Sequence, residues 1–123
     1  MRQARSPSGL RVLIVEDQFL VAEDIGTLLR GLGCTVVGPF ARLSTALPVA
    51  RTETLDAAVL DVNLDDGVVD PVAAELVRRD IPFLFVTGYV RQDLSQKFRD
   101  RPVLAKPFTA HDIEAAIWSI CSP

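Results

Sequence analysis

The chain contains little histidine or cysteine and has no excess of positive charge, and each shortage excludes a class of protein. One histidine, His111, cannot form a metal site that needs several imidazoles. Two cysteines, Cys34 and Cys121, stand far apart in sequence, which favours two reduced thiols in a cytoplasmic protein over a disulfide framework. The net charge is −3, so the composition provides no basic surface for nucleic acid or for a membrane.

Long apolar segments are also absent from the sequence. No run reaches the roughly 18 apolar residues of a membrane span, so no transmembrane helix is predicted. Residues 1–9 contain two arginines but no apolar stretch, which predicts a flexible N-terminal tail rather than a signal peptide. The remaining residues, 10–123, fit one domain, and a hydrophobic content of 49% is enough for a real core.

Short apolar runs alternate with helical patterns along the rest of the chain. Such runs are typical of buried parallel strands, and they predict strands at 11–15, 34–37, 55–60, 83–86 and 103–105. Apolar stripes and capping residues predict helices at about 18–32, 44–51, 70–79 and from Thr109 onward, with a fourth, short or mobile helix around Leu94 and Phe98. Ser44 and Thr45 are the predicted cap of the second helix, and Thr109 with Asp112 forms a predicted capping box at the start of the last one. The alternation indicates an α/β fold: a flavodoxin-like, doubly wound, five-stranded parallel sheet in the order 2-1-3-4-5 with about five helices.

Polar side chains follow four of the predicted strands. They are Glu16 and Asp17 after the first strand, Asp61 after the third, Thr87 at the end of the fourth, and Lys106 after the fifth. Ligands bind at the carboxyl ends of the strands in an open α/β sheet, and the order 2-1-3-4-5 makes the first and third strands neighbours. We therefore expect these side chains to converge on one site.

Their chemistry suits a divalent cation and a phosphoryl group. Crowded carboxylates repel one another, and Mg²⁺, which prefers oxygen ligands, would remove that repulsion. Thr87 can donate to a phosphoryl oxygen, and Lys106, followed by Pro107 in a bond that is either cis or trans, can bind phosphate. Each element has an ordinary explanation when taken alone: an acidic helix start, a turn-forming Asp61, or a β-branched strand residue.

In this order and at these strand positions, the residues resemble the receiver domains of bacterial two-component response regulators. The resemblance covers about Arg11 to the C-terminus, so that 10–123 would be one receiver domain. The segment from Ile81 to Tyr89 also resembles the "FAT GUY" subfamily of receivers, with Val86 in place of the usual alanine. Members of that subfamily are often single-domain regulators, which implies a stand-alone receiver.

The resemblance implies a phosphoryl switch. Asp61 would accept a phosphoryl group from a sensor histidine kinase or a phosphotransfer protein, with Lys106 and Thr87 as its catalytic neighbours. The implied ligands of Mg²⁺ are Glu16, Asp17, Asp61 and the backbone carbonyl of Asn63. Such a receiver would signal to a downstream protein target by protein–protein contact, as a monomer or weak dimer. It would catalyse only its own phosphorylation and dephosphorylation.

Three features depart from the ordinary receiver pattern. The position three residues before the lysine usually holds an aromatic switch residue, and here it is Val103. Tyr89, two residues after Thr87, is the candidate replacement. The usual proline and glycine that follow the phosphoacceptor are Asp65 and Val69 here. The segment after Thr87 is short, which is why the fourth helix is expected to be reduced.

Two other functions stay open on the sequence alone. A haloacid-dehalogenase-like phosphohydrolase also uses an aspartate nucleophile, Mg²⁺, a threonine and a lysine. That family needs an acid two residues after the nucleophile, where this chain has Asn63, and the chain is too short for a cap domain. The second alternative is a degenerate receiver that acts only as a protein-binding module and does not bind Mg²⁺.

Overall fold

The computed structural model describes residues 7–88, 98 and 100–121, and these form two sheets and four helices. The strands are β1 (Arg11–Val15), β2 (Thr35–Phe40), β3 (Ala57–Asp61), β4 (Asn63–Leu64), β5 (Gly67–Val68), β6 (Phe83–Thr87) and β7 (Val103–Ala105). The helices are α1 (Phe19–Gly31), α2 (Leu43–Thr52), α3 (Asp70–Arg78) and α4 (Ala110–Cys121). The large sheet is parallel in the order β2-β1-β3-β6-β7, and β4 and β5 form an antiparallel hairpin. The predicted α/β class and strand order are therefore confirmed.

The large sheet is covered on both faces, and alternate residues of its central strands enter different hydrophobic clusters. In β1, Leu13 and Val15 pack with residues of α2 and α3, whereas Val12 and Ile14 pack with residues of α1 and α4. Because successive strand side chains point to opposite faces, a strand that is buried on both sides must be apolar throughout. This explains why β1, β3 and β6 are continuous apolar runs whose polar residues lie at or just after the carboxyl end.

Strand β2 is longer than the sequence predicts. The prediction ends it before Gly38 and Pro39, but the strand continues through both to Phe40, with a register shift in its pairing with β1. Gly38 has a φ of +105°, which glycine tolerates, and Pro39 is accommodated because β2 is an edge strand. The Phe40 carbonyl accepts a hydrogen bond from the backbone N–H of Glu16 (2.9 Å). The extension therefore supports the backbone of the acidic pair.

The start of α2 also differs from the prediction. Ser44 and Thr45 are predicted to cap this helix, but its N-cap residue is Arg42, which provides no side-chain cap. The backbone N–H groups of Leu43 and Ser44 instead donate to the two carboxylate oxygens of Asp66, at 2.7 and 3.1 Å. Asp66 lies in the turn between β4 and β5, which form a hairpin that is not predicted from the sequence. A carboxylate from a separate segment thus satisfies N–H groups that a local cap would otherwise satisfy.

Residues 7–9 pack on the domain, although the prediction places them in a loose tail. Pro7 is buried, and its carbonyl accepts hydrogen bonds from Leu10 N (3.2 Å) and Cys34 Sγ (3.2 Å). Gly9 N donates to the carbonyl of Gly33 (2.8 Å). These three residues therefore belong to the packed domain, and residues 1–6 lie outside the described residues.

In the described residues near the C-terminus, the structure agrees with the elements predicted from the sequence. Most of the helix predicted around 94–98 lies outside the described residues, but Phe98 is buried, with its ring centroid 6.3 Å from that of Phe83. Helix α4 begins as predicted, with reciprocal hydrogen bonds between Thr109 and Asp112 at 2.9 and 3.1 Å. Among the described residues, no helix has the length and apolar character of a membrane span.

Candidate functional site

The carboxyl edge of the sheet brings together every predicted site residue that the structure describes. Strand pairing between β1 and β3 aligns Val15 with Leu60, and the residues that follow these two are Glu16 and Asp61. Pairing between β6 and β7 aligns Thr87 with the residue before Lys106. Neighbouring strands therefore place the acidic residues, Thr87 and Lys106 at one edge of the sheet, as the sequence predicts.

Three carboxylates meet at this edge, from Glu16, Asp17 and Asp61. One oxygen of each lies within 4.8 Å of the other two. Glu16 is 2% exposed and Asp61 6%, while Asp17 is half-buried. The spacing and the all-oxygen ligand set fit a hard divalent cation such as Mg²⁺.

Lys106 balances part of this negative charge, and among the three carboxylates it lies closest to that of Glu16. Its Nζ is 2.9 Å from Glu16 Oε1 and donates a hydrogen bond to Glu16 Oε2 (3.0 Å), whereas Asp61 Oδ2 is 3.6 Å away. The contact with Oε1 is an ion pair without hydrogen-bond geometry, so this buried oxygen accepts no hydrogen bond within the described part of the chain. An unsatisfied buried carboxylate oxygen beside a second carboxylate is further support for a cation at this point.

Gln18 also contacts Lys106 and is not among the site residues predicted from the sequence. Gln18 Oε1 accepts a hydrogen bond from Lys106 Nζ (2.8 Å), and the backbone N–H of Gln18 donates to Glu16 Oε2 (3.0 Å). Gln18 is the N-cap residue of α1, yet its side chain makes no capping hydrogen bond. The one signal in the sequence that could have identified Gln18 is its position directly after the acidic pair.

Asp61 lies in surroundings that disfavour its ionised form. Burial raises the pKa of Asp61, and the nearby charge of Glu16 raises it further, to about 8, although Lys106 acts in the opposite direction. Without a bound cation, the site therefore favours the protonated form of Asp61 over the ionised form. A cation held by the three carboxylates would favour the ionised carboxylate, which is the form that can act as a nucleophile.

The site opens into a cavity of about 740 Å³. Its lining includes Asp61, Asn63 of β4 and Lys106. Thr87 is only 2% exposed, and its carbonyl accepts a hydrogen bond from the backbone N–H of Lys106 (2.8 Å). The Lys106–Pro107 bond, which the sequence leaves open, is cis. The cavity has room for a phosphoryl group beside Asp61.

The positions that depart from the ordinary receiver pattern are described only in part. Val103, in place of the usual aromatic residue, is half-buried and packs against the cluster on the α2–α3 face. Asp65 lines the cavity and Val69 is fully buried. Tyr89 lies outside the described residues, so its role in switching stays a prediction.

Comparison with known proteins identifies relatives of the whole described domain. Residues 12–118 match the family described as "Response regulator receiver domain". The chain is 31% identical over 121 residues to the "Phyllosphere-induced regulator PhyR" of Methylorubrum extorquens. That alignment covers 94% of this chain and 45% of PhyR, so the chain spans about half the length of this relative.

Two solved structures of SdrG resemble the chain over nearly the full length of SdrG. The solution structure of SdrG from Sphingomonas melonis has a TM-score of 0.77 at 42% identity, covering 92% of this chain and 98% of that one. The BeF3-activated conformation of SdrG from Pseudomonas melonis has a TM-score of 0.71 at 43% identity, covering 90% and 98%.

The family match includes every site position between Glu16 and Lys106, and it leaves the phosphohydrolase alternative without support. The match agrees with the resemblance to receiver domains that was inferred from the order and strand positions of those residues. The chain belongs to the family of response regulator receiver domains.

Proposed function

We propose that this chain is a signalling switch in which Asp61 accepts a phosphoryl group. The observation that carries the proposal is the placement of the Asp61 carboxylate. It lines an open cavity, with oxygens of two further carboxylates within 4.8 Å and the ammonium of Lys106 at 3.6 Å. This arrangement combines a nucleophile, a cation site and a fixed positive charge in one place.

The donor in this proposal is the phosphohistidine of a sensor histidine kinase or of a phosphotransfer protein. A carboxylate oxygen of Asp61 attacks the phosphorus atom. The new P–O bond forms as the P–N bond breaks, and the electron pair of that bond returns to the imidazole nitrogen, which takes up a proton. Later attack by water on phosphorus restores the carboxylate and releases inorganic phosphate. The chain would therefore catalyse only its own phosphorylation and dephosphorylation.

The other site residues would stabilise the charge on the transferring group. Mg²⁺, when bound, would neutralise charge on the phosphoryl oxygens, and its ligands would be Glu16, Asp17, Asp61 and the backbone carbonyl of Asn63. Lys106 would provide a second positive charge to the same oxygens. The Thr87 hydroxyl would donate a hydrogen bond to one of them, since β6 pairs directly with β3.

The output in this proposal is a change in protein–protein contact. Phosphorylation would reorder the segments that follow β3 and β6, with Thr87 and Tyr89 as switch residues. A downstream protein in the cytoplasm would read that change, and neither nucleic acid nor a membrane would be involved. The charge of −3 supports this, because it offers no basic surface to either. We propose a monomer or weak dimer as the working state.

Intact-mass analysis tests the proposal directly. Wild-type protein incubated with acetyl phosphate should gain one phosphoryl group when Mg²⁺ is present and none after chelation. Asp61→Asn should gain none. Asp70→Asn is a matched control at the start of α3, outside the cavity lining, and it should behave as wild type. A folded wild-type chain that forms no adduct and binds no Mg²⁺ would instead be the degenerate binding module.

A further inference from the structure

The ammonium of Lys106 makes its shortest contact with Gln18 rather than with Asp61. Nζ lies 2.8 Å from Gln18 Oε1, 2.9 and 3.0 Å from the two oxygens of Glu16, and 3.6 Å from Asp61 Oδ2. An ammonium has three N–H donors, and the Asp61 oxygen is beyond good hydrogen-bond distance. The charge that the phosphoryl group needs is therefore held by other acceptors in this structure.

Helix capping does not account for the Gln18 side chain. Gln18 is the N-cap residue of α1, but its side chain makes no capping hydrogen bond. Its backbone N–H donates to Glu16 Oε2 while its side-chain oxygen accepts from Lys106. Both ends of this exposed residue thus contact the Glu16–Lys106 ion pair, at the mouth of the cavity.

We propose that Gln18 is a positioning residue that holds Lys106 away from Asp61 and so competes with the phosphoryl group for the ammonium. This inference rests on the proposed function of Asp61. An anionic phosphoryl oxygen is a stronger acceptor than a neutral amide, so an N–H of Lys106 passes from Gln18 to the arriving group. Because the Gln18 hydrogen bond is lost in this exchange, the net free energy gained by the phosphoryl–lysine contact is smaller. Residue 18 thereby sets the stability of the phosphorylated state.

The affinity for beryllofluoride, a non-covalent stand-in for the phosphoryl group, measures this competition at saturating Mg²⁺. Gln18→Ala removes the competing acceptor and should tighten binding by about fivefold, as expected for one hydrogen bond to a charged group at a partly exposed site. Gln18→Glu keeps the length of the side chain, adds a charged acceptor, and should weaken binding by about fivefold or more.

Mg²⁺ affinity, measured without beryllofluoride, separates this effect from a general change in charge. The added carboxylate in Gln18→Glu should leave Mg²⁺ binding equal or tighter, in contrast to its weaker beryllofluoride binding. The ¹⁹F resonances of bound beryllofluoride give a second readout, because a fluorine that accepts from Lys106 should shift in both Gln18 variants. Phe19→Ala is the control: Phe19 is the first residue of α1 and 69% exposed, and its loss should change neither affinity nor the resonances.

An affinity order of Ala, then Gln, then Glu at position 18 supports the inference. A Gln18→Ala variant that binds beryllofluoride as wild type does, or more weakly, overturns it while leaving the function of Asp61 intact. A wild-type chain that is folded by thermal melting yet binds no beryllofluoride with Mg²⁺ overturns the proposed function and the inference together. Binding of beryllofluoride by the wild type that disappears in Asp61→Asn shows that the site of the proposed function is intact, so a failure at position 18 then counts against the role of Gln18 alone.

Discussion

The apolar interior of the central strands and the charged site at their carboxyl ends lie one residue apart in the chain, but their side chains have opposite polarity. Val59 and Leu60 of β3 are fully buried among apolar side chains on opposite faces of the sheet. The next residue, Asp61, is almost as buried, but its neighbours include two carboxylates and an ammonium. The difference teaches that the apolar interior stabilises the domain, and that this stability holds the charged edge in an arrangement it would not adopt alone.

The largest loss of stability should follow removal of an interior side chain. Phe85 is 1% exposed and packs edge-to-face against Phe83, with ring centroids 5.4 Å apart. Phe85→Ala leaves a cavity and should lower the free energy of unfolding by about 3–5 kcal/mol. Urea denaturation measures the change. Val77→Ala, at an exposed position of α3, should lower the free energy of unfolding by less than about 1 kcal/mol. Equal losses in the two variants would show that the buried interior contributes no more to stability than the surface does.

At the charged edge, removal of Lys106 should have the next largest effect. Lys106→Met leaves Glu16, whose side chain is fully buried, without its cationic partner. Breaking such a pair should cost about 3 kcal/mol, the lower end of the range for a buried pair, because the Lys106 side chain keeps some exposure to solvent. Arg51→Met is the control, because it breaks an exposed pair with Glu75 at 3.7 Å that should contribute less than about 1 kcal/mol. Chemical denaturation at neutral pH distinguishes them, and a Lys106→Met cost no larger than the control would refute this account.

The Asp61→Asn substitution should stabilise the domain, and the gain should depend on pH. The folded state raises the pKa of Asp61 from 3.8 to about 8, so between these values the folded chain keeps a proton that the unfolded chain has lost. The wild type is therefore most stable below the lower value and loses stability as the pH rises through the upper one. Asp61→Asn has no such loss.

The difference between the two proteins should grow from about pH 5 to about pH 8 and reach the order of 1 kcal/mol, a value reduced by solvent screening at the open cavity. Urea titrations of both proteins at a series of pH values, without divalent cations, measure it. Adding Mg²⁺ should restore stability to the wild type more than to Asp61→Asn. A difference that stays constant across this range would mean that Asp61 is ionised in the folded state.

The smallest effect should come from Asp66, whose half-buried carboxylate already accepts two backbone hydrogen bonds. Hydrogen bonds from the backbone N–H groups of Leu43 and Ser44 hold the pKa of Asp66 below its ordinary value. Its contribution is therefore present at neutral pH and is lost as the pH falls through the acid range. Asp66→Ala should lower the thermal midpoint slightly at neutral pH and less in acid. Thermal melting at a series of pH values measures the change, and a loss that is equal at every pH would contradict this explanation.

The parts of the fold that the sequence predicts best are those whose signal is local. Strands β1 and β7 have the predicted bounds, and the capping box at Thr109 and Asp112 forms as predicted, because each depends on neighbouring residues alone. The site residues follow from the same logic, since each ends or follows a strand. The rule that strand ends meet then predicts their convergence.

The parts that the sequence does not predict depend on contacts between distant segments. Asp66 caps a helix that begins 23 residues earlier in the chain, and no local pattern announces that pairing. The extension of β2 through Gly38 and Pro39 requires an edge position, which is a property of the assembled sheet. The side-chain hydrogen bond of Gln18 comes from a lysine 88 residues away in the chain.

The placement of Asp61 at the end of β3 has a mechanical consequence. The strand is paired on both sides, with β1 and β6, and the N–H of the following residue, Val62, donates to Val86 (3.3 Å). A group added to this carboxylate cannot be accommodated by retreat of its own backbone, so the surrounding side chains and connecting segments must rearrange instead. Asp61 thus stays fixed while its surroundings respond. Two domains with the same fixed aspartate but different surrounding segments would therefore share the same chemistry and transmit it to different partner proteins.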